Sequence, residues 1–213
     1  QKLIIIGDKS VTSLGTNDGY GISTKEKSRI GAIDSNAYST GVAILGGSGH
    51  VVSGDFDVIA GGVLGNISGG NFNFIGGGSG IDITGSQYSS SIGGFNNDIL
   101  KSDQSLIGGG YQNKIKEGQG GVIGGGYQNN LHTTTQSFIG GGFENTISGN
   151  YSSSAIAGGT QNQVYSTFSF IGAGGTNIIH AGQGAVIAGG VGNEISGEQS
   201  AIAGGNSNKV SGW

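Results

Sequence analysis

The sequence predicts an all-β fold, a parallel β-solenoid or β-roll of about 16 residues per coil, and three observations carry that expectation. Glycine supplies 49 of the 213 residues, while proline, cysteine and methionine are absent. An isoleucine followed by small residues recurs eleven times, at Ile44, Ile59, Ile75, Ile92, Ile107, Ile123, Ile139, Ile156, Ile171, Ile187 and Ile202, in steps of 15 to 17. A second apolar residue follows each start by eight positions, from Val52 and Ile67 to Ile195 and Val210, with Ile99 arriving one early. A fixed period of this length signals a stacked repeat, and glycine at this density costs a helix up to about 1 kcal/mol per residue. Each repeat must therefore be extended. Two short strands and two glycine-rich bends make one flattened coil, and each strand pairs with its copy in the next coil at roughly 4.8 Å.

Taken in chain order, residues 1–43 break the period and hold Lys25, Lys27 and Arg29 with Asp18 and Glu26, so they are expected to cap the first coil or to connect it to another part. Residues 44–213 are expected to form the glycine-rich array of about eleven coils. In the first strand of each coil, adjacent residues face opposite ways, and the residue before the isoleucine is apolar almost throughout, with Ser91 the polar exception. A strand apolar on both faces is covered on both. A long exposed apolar stripe is rare on a soluble monomer, so Val58, Phe74, Leu106, Val122, Phe138, Phe170 and Val186 are expected at the interface of a parallel homotrimer.

The glycine triplets that follow, such as 108–110 and 124–126, fit tight bends and close chain approach. Asparagine then recurs at Asn113, Asn129, Asn145, Asn162, Asn177, Asn193 and Asn208, with Asn97 one early. Its tolerance of left-handed turns and its bonds to local backbone predict support of the bend. The second strand carries polar neighbours such as Asp98, Lys114 and Glu194, and so has a wet side. Phe95, Tyr111, Tyr127 and Phe143 lie 16 apart just after the glycines. Pointing outward they would make a sugar-binding platform; pointing inward or into an interface they would be packing. At the last coil, either Trp213 is expected to fold over as a lid, or another copy or a further segment is expected to stack there.

Nine basic against 13 acidic residues, with charged residues only 10% of the chain, leave neither a nucleic-acid footprint nor a polybasic membrane patch. Hydrophobic residues never run for 18 positions, so no bilayer insertion is expected. Without cysteine there is no disulfide framework or thiolate metal site. A chain that begins at Gln1 and holds no methionine reads as a processed or excised piece of a longer product.

Catalytic chemistry needs a nucleophile with a base, or paired carboxylates in a cleft. His50, His132 and His180 fall in three distant coils, which argues against a histidine metal site. Asp55 with Asp57 and Asp98 with Asp103 are the dense carboxylate groups. Asp55 and Asp57 could meet the spacing of a glycosidase pair, but nothing near them in sequence would raise the pKa of one. Residues 77–82 match one copy of a calcium-roll nonapeptide, but calcium rolls need aspartates repeated in successive turns, and the equivalent positions are expected to carry asparagine, lysine and glutamine instead. No helix follows the glycines to make a phosphate loop. Catalytic residues, cofactors and metals are accordingly all expected to be none.

The tandem pattern Ser-x-Ile-Gly-Gly-Gly-x-x-Asn-x-Ile-x-x-Gly, seen from Ser105 to Gly118, resembles the glycine-rich repeat arrays of bacteriophage tail fibres and covers most of residues 44–213. The segments 154–158 and 200–204, Ser-Ala-Ile-Ala-Gly, are similar to the shorter repeats in the heads of trimeric autotransporter adhesins, whose period is nearer 14. The fibre resemblance implies a trimeric shaft or tip on a virion, often completed in such families by a self-cleaving C-terminal chaperone. The expected function is therefore a non-enzymatic virion fibre segment in host attachment. Its expected partners are other tail proteins and a host surface receptor, with glycans among the candidates. The alternative is an extracellular or cell-surface adhesin or self-assembling filament.

Overall fold

The computed structural model describes residues 28–29, 32–33, 35–39, 41–149, 153–180 and 183–212. The two strands of the repeat form two parallel sheets of twelve strands each. The first sheet runs from Ser28–Arg29 through Ala43–Ile44 to Ala201–Ile202, and the second from Asn36–Ala37 through Val51–Val52 to Lys209–Val210. Every strand pairs with its counterpart one coil away, as Leu106 does with Val122 and Ile115 with Leu131. Stacking already includes Ser28–Arg29 on Ala43–Ile44 and Asn36–Ala37 on Val51–Val52, upstream of the boundary expected at residue 44. The rest of the expected N-terminal segment and Trp213 lie outside the described residues.

Inward positions of the two sheets face each other across a thin core. Ile107, Ile123 and Ile139 of the first sheet and Ile115, Leu131 and Ile147 of the second are fully buried. One coil alone buries almost nothing; the isoleucine columns and the backbone bonds between coils, such as Leu106 N–H to the Gly121 carbonyl at 2.9 Å, supply the cohesion. Glycine is required where coils touch. Gly110 sits at φ 92°, and a Cβ there would collide with the carbonyl of Gly126 in the next coil.

The structure corrects the expected register in one coil. Ser91, not Ile92, pairs with Ile75 and Ile107, and is wholly buried, while Ile92 is 55% exposed. The uneven steps around Ile92 thereby become two even steps of 16, and Asn97 and Ile99 fall into place rather than one early. A one-residue slip turns every side chain of a strand to the other face. Keeping Asn97 and Ile99 inward therefore outweighs burying Ile92.

The asparagines support the bend, as expected, but by another device. The left-handed position belongs to the residue before each of them, for example Gln112 at φ 53° and Glu144 at φ 54°. The asparagines themselves point inward as a continuous amide ladder. Asn129 Nδ2 donates to the Gly125 and Gly142 carbonyls at 2.9 and 3.0 Å, and its Oδ1 accepts from the backbone N–H and the Nδ2 of Asn145 at 3.0 and 3.1 Å.

Candidate functional site

All seven residues expected at an interface lie on the outward side of the first sheet. Phe74, Phe138, Phe170 and Val186 are exposed, and Val58, Leu106 and Val122 are partly so. Among the described residues of this chain nothing covers them.

Phe95, Tyr111, Tyr127 and Phe143 stand at a bend between the sheets, joined rung to rung by parallel bridges. They are 37% to 43% exposed, but their rings stack on one another, with centroids 4.8 to 5.3 Å apart and planes within 9°. In-register stacking forces this, because like rings one coil apart meet face to face. Tyr111 and Tyr127 thus present edges to solvent, whereas a sugar stacks on a ring face. The column thus points outward while its rings pack on one another rather than into the core. A second stack, Phe56, Phe72 and Tyr88, rises at the opposite bend with centroids 5.2 and 5.1 Å apart. Its own spacing of 16 was the available signal, hidden because Phe168 is the next aromatic in that column.

The titratable groups separate into enclosed and solvated ones. His50 is buried in the column that the asparagines continue: its Nδ1 accepts from Gly65 N–H at 3.0 Å, as an asparagine Oδ1 would. Its Nε2 has no hydrogen-bond partner. Burial pulls its pKa below the ordinary value, against the opposing carbonyls of Gly46 and Gly62. His132 and His180 lie on the outer side of the second sheet beside Glu117 at 3.6 Å and Glu194 at 3.0 Å.

Asp57 overturns the expectation that nothing raises a carboxyl pKa here. It is fully buried, and that burial, reinforced by Asp55, pushes it to about 6 against the bonds from Asn73. Its Oδ1 accepts from Asn73 N–H at 2.7 Å, whereas Oδ2 has no partner. The carboxyl is closed off from any substrate, and Asp55 is only partly buried, so the two do not share a cleft.

Asp82 of the calcium-like segment pairs in register with Asp98, with Asn66 before it and Lys114 after. Two successive coils thus carry aspartate where asparagine, lysine and glutamine alone were expected, but the run ends at Lys114, whose Nζ lies 3.6 Å from Asp98 Oδ2. Burial and the neighbouring Asp82 raise the Asp98 pKa, against Lys114. Leu64, Gly80, Asp82, Asn96, Asp98 and Lys114 line a shallow open groove of about 500 Å³ here. Its carboxylates, amides and ammonium can hydrogen-bond a polar ligand. Asp103 Oδ1 instead caps the backbone N–H of Gln87 at 2.8 Å.

No family model matches this chain, and no curated protein matches it in sequence.

Proposed function

We propose that the chain is a structural, non-enzymatic segment of a virion fibre, assembled side by side as a parallel homotrimer and serving host attachment. The observation that carries this reading is the uncharged apolar side of the first sheet, where Phe74, Phe138 and Phe170 stay exposed beside the buried isoleucine column. An exposed apolar stripe of this length fits a subunit interface. The polar second sheet and the two bends then remain for contact with tail proteins and with a host receptor.

Light scattering of the purified segment tests the assembly: a mass of three chains is expected, and Phe138→Asp should dissociate or misfold it. A stable monomer resisting concentration would sink the assembly. Gold-labelled antibody on the native material tests the role, with label on virion tails expected. Label confined to the surface of uninfected cells would favour the adhesin or filament instead.

A further inference from the structure

The outward side of the first sheet carries two columns. Beside the residue before each buried rung, the residue two positions further along the chain also points outward, as Ile92 and Leu45 show by their exposure. The columns compensate in size rung by rung. Phe74, Phe138 and Phe170 stand beside Gly76, Gly140 and Gly172, while Leu45 and Ile92, the large residues of the second column, stand beside Ala43 and Ser90. No rung from Ala43 to Ala203 holds two large residues or any charge. The Phe74 and Phe138 rings lean over their own glycines: a Cβ on Gly76 would come within 3.3 Å of the Phe74 ring, and one on Gly140 within 3.4 Å of the Phe138 ring. Each rung is thereby levelled, and the face is flat, apolar and periodic.

An irregular globular partner has no use for a level surface repeated at every coil. A second copy does, because it alone offers the same rung spacing along the whole length. Eleven rungs at about 4.8 Å, by a width of about 12 Å, give about 600 Å² per copy, of the order of the ~800 Å² per partner of a standard stable interface. Rotation about an axis along the rod keeps every rung at its own height and brings the first column of one copy to the second column of the next. An antiparallel twofold would set like columns on each other.

We propose that this face is covered by the same face of neighbouring copies, parallel and in register, with each first-column residue of one copy beside the second-column residue of its neighbour on the same rung. This rests on the parallel side-by-side assembly proposed above and adds the register of its contacts. The chain has no cysteine, so introduced pairs are clean probes. Chains bearing Ala155→Cys and chains bearing Ala157→Cys, co-expressed, should oxidise to a mixed dimer, with neither variant cross-linking efficiently alone. Ser90→Phe puts two large residues on one rung and should lower the assembled mass at unchanged β-sheet circular dichroism; Ser90→Phe with Ile92→Gly recreates the Phe74–Gly76 rung and should restore it. Assembly at full mass without the mixed cross-link, or without rescue by the double variant, overturns the register and leaves the assembly standing. A wild-type chain that stays monomeric overturns both.

Discussion

Asp57 and Asn73 occupy one column a coil apart, and the difference between them defines a titration. Asn73 Nδ2 donates to the Ser86 carbonyl at 2.8 Å. In the coil before, Asp57 Oδ2 and the Gly70 carbonyl crowd the same spot, since a Cβ on Gly54 would collide with both. A carboxylate there faces another acceptor; a protonated carboxyl can donate. With the folded pKa raised to about 6 from the ordinary 3.8, the native state holds a proton that the unfolded chain releases. The Asp57 contribution to stability is thus fully present below pH 4 and is lost as pH rises through 6, by up to about 3 kcal/mol. Asp57→Asn should flatten that fall in urea titrations and raise stability at pH 7. An unchanged pH profile would show that the carboxyl is ionised without cost. His50 acts in the opposite sense: its depressed pKa means that its contribution is lost as pH drops below about 6.5, so the variant should retain only that acid limb.

Ser91 shows how far one residue can depart from its column. Its Oγ is buried without a partner, between Ile75 and Ile107. Replacing it with isoleucine removes an unsatisfied hydroxyl and fills the rung, so Ser91→Ile should stabilise by about 2 kcal/mol. The denaturation midpoint measures it, and a drop would mean that the rung has no room.

At the scale of one element, each inner rung of the asparagine ladder makes several hydrogen bonds through one side chain. Asn129 alone answers two carbonyls at the part-buried bend and the buried backbone N–H of Asn145. Asn129→Ala should therefore cost about 3 kcal/mol or more, since each buried group left unpaired costs about 1–3 kcal/mol. Amide hydrogen exchange at Asn145 should rise with it; protection equal to wild type there would reduce the ladder to decoration. The spacing of these asparagines was plain in the sequence, yet their geometry was not. Which residue of the Gln112–Asn113 pair takes the left-handed turn depends on which side chain must point into the coil. The aromatic columns follow the same logic: the period placed Phe95, Tyr111, Tyr127 and Phe143 in line, but only the stacking distance revealed that their faces are occupied.

On the scale of the whole molecule, a rod whose coils touch only their neighbours should tolerate loss of one complete coil. Deleting residues 107–122 joins Leu106 to Ile123 and keeps every column continuous, so the shortened chain should fold and melt slightly lower. Deleting residues 107–114 sets the amide column against the serine column, and should abolish cooperative melting. Equal melting of the two would argue against columns as the unit of stability.

The sequence by itself determined the period, the parallel stacking and the inward isoleucines, because a repeat of fixed length with glycine bends admits few other ways of burying one apolar residue per half coil. Tertiary structure alone decided the register at Ser91 and Ile92, the proton on Asp57 and the levelled outer face. Each depends on what the coil above and the coil below place at the same height, and a one-residue shift in that stacking exchanges inside for outside.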